Sequence, residues 1–418
     1  MNDWTQHDED GTARAAPGVL RAVLTAAMAA LVACTMSSVL SGCATAPETK
    51  KLVWPPPPLQ ARVEFLRTIS SEDSVGRDAT FEEKALEFLT GQTAPANHIA
   101  EPMGIAVSDD GNRVYVADFA QFAVFVFDFQ KKSFNKIGKE EPLQRPVGIA
   151  LDADENLYVV EQLKKSVSVF NRKGDRFRTI TDPSIERPSG LAIDRERGRL
   201  YVVDTSHTKS GHHDVKIFDL QGNLTGVLGK GKGAPEGYFL FPTYAWVDAG
   251  GHVFVSDTLN SRVQEFDVDG NFVKRYGERG TGWGMFDKPK GVATDSFGNV
   301  YVVDSGWSNV QIFNRKGDIL LFFGGRGKFP GLLQNPTAIT IDKQNRIYVG
   351  DYLNHRVEVY QLSNTTAEDS FKNPAPIAGP GPGEKDAAKP AEDAAYKEAP
   401  DAPVPGGTTP DKKSPEGK

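Results

Sequence analysis

The sequence contains very little cysteine: its two cysteines, Cys34 and Cys43, both lie near the N-terminus. The residues after Cys43 can therefore form neither a disulfide nor a thiolate metal site. An excess of one charge is also lacking, since 48 basic residues stand against 55 acidic residues, for a net charge of −7. Such a balance creates no global field that would attract nucleic acid or an anionic membrane surface.

Motifs of several common enzyme classes are missing as well. The sequence has no Gly-x-Ser-x-Gly element, no Walker pattern and no Cys-x-x-Cys-His haem motif. Aromatic residues at 10% and 27 prolines are instead typical of a β protein rich in turns.

The N-terminal segment has the features of an export signal. Residues 22–40 are almost all small or apolar, and Arg14 and Arg21 precede them. This pattern predicts a signal peptide over residues 1–43. Its end, Leu40-Ser41-Gly42-Cys43, resembles the bacterial lipobox, in which the cysteine is diacylated and becomes the new N-terminus.

The lipobox resemblance implies a lipid on Cys43 and a place in the cell envelope. Ala44 rather than Asp follows the cysteine, and in a cell with two membranes this resemblance therefore implies the outer membrane. Two alternatives remain open: Cys34 follows a looser version of the same pattern, and the apolar segment could be an uncleaved membrane anchor.

Two further segments are predicted to lie outside the folded domain. Residues 44–60 contain Trp54-Pro55-Pro56-Pro57-Pro58, which favours polyproline II and a semi-rigid spacer, or else a proline motif for a partner. Residues 363–418 are rich in Pro, Ala and Gly and offer little that could form a core, so we predict a disordered tail.

The region between these segments repeats one unit six times. A proline opens each unit, at intervals of 42 to 54 residues: Pro102, Pro146, Pro188, Pro242, Pro289 and Pro336. A short apolar strand follows, then a turn rich in Asp, Gly and Asn, a second strand that ends in an acidic residue, and two further strands. Four short strands per unit predict an all-β fold, a six-bladed β-propeller over residues 61–362.

The ends of the repeat region predict how the ring closes. The sixth unit stops after its third strand, whereas residues 62–69 alternate as a fourth strand would. We therefore expect this N-terminal strand to complete the last blade and protect its edge. Residues 80–89 form the one predicted helix, since Thr80 and Glu83 make a capping box, and it is expected to pack against the rim.

The repeats resemble NHL repeats. The pattern Pro-x-Gly-Ile-Ala, Tyr-Val-x-Asp, Asn-x-Arg-Val-x-x-Phe is matched best by residues 257–263 and 351–357, and the resemblance runs from about 62 to 362. It implies the propeller fold but not an activity, because NHL propellers include lyases, lactonase-like relatives and pure interaction modules.

Two sets of residues are candidates for metal chemistry. An insertion in the third unit brings together His207, His212, His213 and Asp214, which could bind a divalent ion, although a solvated loop without any cofactor is favoured. The acids that end the second strands could form a cation site around the channel, but structural hydrogen bonds are favoured for them. They are Asp118, Glu161, Asp204, Asp257, Asp304 and Asp351.

Departures from the repeat pattern point to a binding face. In a propeller, the segments that join one blade to the next and the turns between second and third strands share one face. Aromatic and basic residues gather there: Phe119, Phe122, Tyr244, Trp283, Trp307 and Tyr352, with Lys230, Lys232, Arg279, Arg326 and Lys328. Gly-rich segments at 229–233, 277–280 and 324–328 lead into the strand-opening prolines and are predicted to be inter-blade turns.

These observations predict a monomeric, lipid-anchored envelope propeller that binds another envelope protein or an anionic glycan, and not nucleic acid. The alternative is a metal-assisted lyase or hydrolase with its site over the central channel.

Overall fold

The computed structural model describes residues 51–90, 96–206 and 211–366. The predicted signal peptide with Cys43, residue His207 and the tail from residue 367 onward lie outside these ranges. All the elements below belong to the unit that begins at Leu52. Among the described residues, no helix is long and apolar enough to cross a membrane.

Six antiparallel sheets form the blades, and each blade begins at one of the predicted prolines. Short β-branched and aromatic runs separated by Asp, Asn and Gly turns dictate these strands, because such residues pack well on both faces of a pleated sheet. The first three blades are β3 (Pro102–Val107), β4 (Arg113–Asp118), β5 (Ala123–Asp128) and β6 (Ser133–Ile137); β7 (Pro146–Leu151), β8 (Leu157–Glu161), β9 (Ser166–Phe170) and β10 (Arg176–Thr181); and β11 (Pro188–Asp194), β12 (Arg199–Asp204), β13 (Asp214–Asp219) and β14 (Leu224–Leu228).

The last three blades repeat this order, and the sixth takes its outer strands from the N-terminal side of the chain. They are β15 (Pro242–Val247), β16 (Val253–Asp257), β17 (Arg262–Phe266) and β18 (Phe272–Tyr276); β19 (Pro289–Thr294), β20 (Val300–Asp304), β21 (Asn309–Phe313) and β22 (Ile319–Gly324); and β23 (Pro336–Ile341), β24 (Arg346–Asp351), β25 (Arg356–Leu362), β2 (Val63–Ile69) and β1 (Val53–Trp54). The described fold is thus the predicted six-bladed, four-stranded propeller.

Closure by the N-terminal strand is confirmed. β2 pairs with β25 in antiparallel register from Val63 opposite Leu362 to Ile69 opposite Val357. The sheet then gains a fifth strand that the sequence did not predict, because β1 pairs with β2. The indole of Trp54 packs against the rings of Phe323 and Tyr360, at centroid distances of 5.9 and 5.7 Å. Part of the predicted spacer therefore belongs to the sixth blade.

The first strands of the blades surround a central channel in chain order. Each contacts the first strands of the two neighbouring blades, so that blade 1 lies opposite blade 4. Glycine makes this close approach possible: a Cβ atom at Gly148 would lie 2.7 Å from Cα of Gly190 in the next blade. Blade 4 departs from this pattern, because Tyr244 stands where the first three blades have glycine.

The connections between strands define two opposite faces. We call the side formed by the blade-to-blade segments and the turns between second and third strands the loop face. The other side, formed by the turns between first and second strands and between third and fourth strands, is the turn face. On the turn face an Asp or Asn side chain commonly closes the turn. In one example, both the Asn299 backbone N–H and its side-chain amide donate to Asp295.

The predicted helix is present as α1 (Phe81–Thr90). Its capping box forms as expected: the Thr80 backbone N–H donates to the Glu83 carboxylate at 2.7 Å, and the Glu83 N–H donates to the Thr80 hydroxyl at 3.2 Å. Arg77 pairs with Glu83 and with Glu72, which ties the start of the helix to the short 3-10 turn at Glu72–Val75. At its other end, Phe88 is 89% exposed.

Candidate functional site

The acids that end the second strands are buried and hydrogen-bonded to the backbone. The carboxylate of Asp304 accepts from four backbone N–H groups, those of Asp287, Lys288, Gly306 and Trp307, at 2.8 to 3.3 Å. Asp118 accepts in the same way from Ala100, Glu101 and Gln121, and Asp204 from Glu186, Arg187 and Ser206. These carboxylates hold the entry to each first strand and the following turn in place, which is the structural role that the sequence favoured.

Burial acts against ionisation of three of these acids. Desolvation raises the pKa of Asp257, Asp304 and Asp351 above the usual value, while hydrogen bonds, from backbone N–H groups in all three, work in the opposite direction. A carboxylate that satisfies several buried donors is expensive to replace, since each donor would be left without a partner.

The described part of the histidine insertion does not bring metal ligands together. His213 is buried, its Nδ1 accepts from the Phe241 backbone N–H at 3.0 Å, and burial together with the nearby Lys232 lowers its pKa. Asp214 begins β13 and pairs with Lys216 at 2.9 Å.

Nε2 of His213 and one carboxylate oxygen of Asp214 are buried without hydrogen-bond partners. His212 is exposed and His207 lies outside the described residues, so the metal site stays a prediction. No group of three His, Cys, Asp or Glu suited to a metal occurs within the described ranges.

The loop face carries most of the predicted aromatic residues. Phe122 and Trp283 are 45% and 37% exposed, and the Trp283 ring packs on Phe322 at 4.5 Å. Phe119 is half-buried, with the Arg145 guanidinium 5.2 Å from its ring centroid. Trp307 and Tyr352 are also half-buried. Tyr244 is different, because it lies on β15 inside the channel.

The sequence analysis missed further exposed apolar residues on the loop face. They are Leu163, Leu259, Phe329 and Leu353. Three of them are leucines at corresponding positions in the turns between second and third strands, a repeated signal that a search for aromatic residues overlooks. In contrast, none of the described turns on the turn face carries a large exposed apolar side chain. The other exposed apolar residues lie on α1, in the N-terminal segment and on outer strands, where Phe177 and Leu224 closely follow such turns.

Three blade-to-blade segments present cations at equivalent positions. Lys232, Arg279 and Arg326 each form an isolated bridge with a buried residue further along the same segment, namely Phe239, Phe286 and Leu333. All three cations are exposed. Of the two lysines that the sequence placed on the first segment, Lys232 is therefore the equivalent one, and Lys230, also exposed, lies two positions before it.

A cavity of about 430 Å³ occupies the central channel at the turn face. Its walls are the later residues of the first strands, apolar and mostly branched, including Ile105, Ile149, Leu191 and Ile339. Tyr244 and Trp246 also line it, and the Trp246 indole donates to Thr294 at 2.9 Å. Of the predicted partner-binding residues, only Tyr244 borders this cavity.

Tyr244 extends across the channel. It packs with the cluster that contains Ile105 of blade 1, and its hydroxyl makes a polar contact with the Ile105 backbone. The apolar surroundings raise the pKa of the Tyr244 phenol.

Three charged residues from three blades meet at the rim of the cavity. The Asp109 carboxylate accepts from Arg195 at 2.5 Å and from Lys343 at 2.6 Å, and Arg195 also donates to the Leu151 carbonyl. Burial pushes the pKa of Asp109 upward, but the hydrogen bonds from Lys343 and Arg195 outweigh it, and the pKa lies below its usual value. Three other rim acids, Asp194, Asp248 and Asp342, pair with Arg197, Arg315 and Arg346.

Comparison with known proteins identifies related sequences over parts of the chain. Residues 87–225 match the SMP-30/gluconolactonase/LRE-like region, and residues 333–360 match the NHL repeat. RING finger protein nhl-1 of Caenorhabditis elegans is 34% identical over 115 residues, which are 28% of this chain and 10% of that protein. The probable peptidyl-alpha-hydroxyglycine alpha-amidating lyase pgal-1 of the same organism is 27% identical over 207 residues, 48% of this chain and 51% of that protein.

The chain thus spans about half or less of these two relatives. A solved structure of a protein of unknown function from Bacteroides thetaiotaomicron superposes with a TM-score of 0.50 at 17% identity, over 72% of this chain and 75% of the other. At this identity the likeness shows the fold alone. From its sheet topology and the two family matches, the chain is a six-bladed β-propeller that carries an NHL repeat, as its sequence predicted.

Proposed function

We propose that the protein is a lipid-anchored scaffold of the cell envelope that binds another protein through its loop face. The observation that carries this proposal is the difference between the two faces. Six large exposed apolar side chains lie in the connections of the loop face, and none of the described ones lies in the turns of the turn face. The six are Phe122, Leu163, Leu259, Trp283, Phe329 and Leu353. Apolar residues grouped on one side of a soluble domain are typical of an interaction surface.

Charge on the loop face specifies the kind of partner. Lys232, Arg279 and Arg326 stand at equivalent positions along three adjacent blade boundaries. An arc of cations beside apolar side chains suits a partner surface that presents carboxylates around an apolar centre. We favour a protein over an anionic glycan because three of the apolar residues are leucines, which add contact area but no aromatic face for a sugar ring.

The anchor follows from the N-terminal sequence. A lipid on Cys43 would be joined to β1, which begins at Val53, by the residues between them. Fully extended, this linker reaches no more than about 30 Å. The proposed spacer is therefore shorter than the sequence suggested, and it would hold the propeller close to the bilayer.

Site-specific photo-crosslinking in intact cells tests the partner surface. A photoreactive phenylalanine analogue replaces Phe122, Trp283 or Phe329 on the loop face, and Asp269 or Lys316 on the turn face as matched exposed controls. We expect one discrete protein adduct from the loop-face positions only, and its loss in an R279A/R326A variant. Adducts of equal yield from both faces, or adducts to glycan alone, would refute the proposed surface.

Metabolic labelling with a radioactive fatty acid tests the anchor separately. We expect label on the wild type and on a Cys34→Ser variant, and none on Cys43→Ser. Label that follows Cys34, or an unlabelled protein that still sediments with membranes, would reject lipidation at Cys43.

A metal-assisted lyase or hydrolase is a second candidate, favoured by the match to the SMP-30/gluconolactonase/LRE-like region and by the likeness to pgal-1. Metal analysis and calorimetric titration of Zn²⁺ and Ca²⁺ on the untagged protein would test it. A stoichiometric ion that is lost in His207→Ala and His213→Ala variants would support this candidate, and a protein without a titratable site would count against it.

A further inference from the structure

The cavity at the turn face is closed on one side and open on the other. Its walls are branched apolar side chains, whereas Tyr244 crosses the channel toward Ile105 and obstructs the path to the loop face. Trp246 lies beside Tyr244, with its indole N–H already satisfied by Thr294. A molecule that entered from the turn face would therefore meet apolar surface along its length and no unpaired polar group on these two aromatic side chains.

The open end has a different chemistry. Arg195 and Lys343 both pair with the carboxylate of Asp109. These three residues together therefore have a net charge of +1. Both cations and Asp109 are substantially exposed, and exposed ion pairs of this kind are weak and rearrange readily. A carboxylate that enters the cavity could therefore pair with both Arg195 and Lys343, and little free energy would be lost from their ion pairs with Asp109.

We propose that this cavity binds a small amphipathic monoanion, an alkyl chain with one carboxylate, whose chain lies against the half-buried Ala150, Ile193 and Trp246 and whose carboxylate lies between Arg195 and Lys343. The proposed site is separate from the loop face, so it can fail or succeed independently of the scaffold function. Size agrees with this class, because a cavity of about 430 Å³ lies within the usual range for small-molecule sites.

The charges on the rest of the rim affect whether the cavity favours an anionic or a cationic ligand. Asp194, Asp248 and Asp342 each pair with an arginine, at 3.2, 2.9 and 2.6 Å, although Arg315, the partner of Asp248, also pairs with the buried Glu265 at 2.8 Å. Glu196 also lines the cavity, is exposed, and has no ion pair among the described residues. It opposes an anion from the edge of the site, and removing its charge should therefore tighten binding.

Calorimetric titration with three probes of one chain length tests the proposal. Octanoate, octan-1-ol and octylammonium remain monomeric at the concentrations required and differ in charge alone. We expect octanoate to bind at one site per chain, with affinity at least about tenfold higher than that of octan-1-ol, since two charge-assisted hydrogen bonds would be lost with the alcohol. Stronger binding of octylammonium, or equal binding of all three, would overturn the proposal.

Variants test the contributions of the charged rim and of the apolar walls to binding separately. Lys343→Ala and the double variant R195A/K343A should weaken octanoate binding progressively, by about tenfold or more for the double variant, with little effect on octan-1-ol. Lys316→Ala, an exposed lysine elsewhere on the turn face, is the matched control. Glu196→Gln should strengthen octanoate binding. Ala150→Leu should weaken the binding of both octanoate and octan-1-ol, because the larger side chain fills part of the cavity.

Because Lys343 is 67% exposed, its variant is expected to fold, and thermal melting verifies this. Folded Lys343→Ala and R195A/K343A proteins that bind octanoate as the wild type does would refute the rim assignment. Loop-face crosslinking in the same variants should be unchanged, which keeps a failure here distinct from a failure of the proposed function.

Discussion

Tyr244 on the first strand of blade 4 reaches across the central channel to the backbone of Ile105 on the first strand of blade 1. The two residues are far apart in sequence and meet only because six blades close into a ring. At the equivalent position, blades 1 to 3 have glycines, which allow neighbouring strands to approach closely. One tyrosine in place of a glycine thus divides the channel and gives the cavity a closed end.

Removing the Tyr244 ring should open the channel and destabilise the fold. Tyr244→Ala is expected to lower the free energy of unfolding by about 2–3 kcal/mol, because the ring is half-buried and its loss leaves a void. Tyr244→Phe, which removes only the hydroxyl, should cost about 1 kcal/mol. Urea denaturation measures both values, and equal effects of the two variants would show that the ring does not fill the channel.

The acid at the end of each second strand should be intolerant of neutralisation. Asp304→Asn is expected to lower the free energy of unfolding by about 2–4 kcal/mol, because the amide places an N–H group against buried backbone donors. The exposed Asp269→Asn on the turn face is the control and should have almost no effect. A mild effect of Asp304→Asn would mean that these backbone N–H groups do not depend on the carboxylate for their hydrogen bonds.

The start of α1 should open in acid before the propeller unfolds. The Arg77 guanidinium and the backbone N–H of Thr80 lower the pKa of Glu83 to about 2, from an ordinary value of 4.5. The carboxyl is thus more acidic in the folded state, so its contribution to stability is complete above pH 4.5. It is lost as the pH falls toward 2.

Hydrogen exchange of the amides around Thr80 across this pH range measures the opening. A Glu83→Gln variant should exchange rapidly at every pH, without the acid transition. If wild-type exchange keeps a constant ratio to the intrinsic exchange rate, with no added opening between pH 4.5 and 2, the ion pair does not hold the helix.

β1 should contribute to the sixth blade as a packed strand. Trp54→Ala is expected to lower the free energy of unfolding by about 2–4 kcal/mol, since the indole packs on Phe323 and Tyr360. Leu59→Ala, an exposed residue in the same segment, is the matched control and should change stability by less than about 0.5 kcal/mol. Equal effects of the two variants would indicate that this segment is a free spacer.

Much of the fold followed from local patterns. The six prolines mark the six blades, the alternation of residues 62–69 identifies the closing strand, and Thr80 with Glu83 begins the helix. These features depend on neighbours within one strand or one helical turn, where hydrophobic period and capping chemistry act directly. The structural role of Asp118 and its equivalents could also be inferred, because one acid per repeat suggests a repeated hydrogen bond.

The candidate site was harder to predict. The sequence offered both Lys230 and Lys232, and only the register of the blade-to-blade segment shows that Lys232 is the one equivalent to Arg279 and Arg326. The turns of three blades place leucines beside the aromatic residues, but leucine in a turn is an unremarkable residue until its exposure is known. The spacer at residues 44–60 was assigned from prolines alone, and pairing of Val53 and Trp54 with β2 depends on a strand already placed by ring closure.

The sequence by itself determined the number of blades, the order of their strands and the strand that closes the ring, because each depends on short-range patterns repeated along the chain. Only the tertiary structure decided that Tyr244 meets Ile105, and that Asp109, Arg195 and Lys343 gather over one cavity. Those residues come from different blades. Their contacts depend on the closure of the ring, and local sequence patterns do not show which side chains then meet at the central channel.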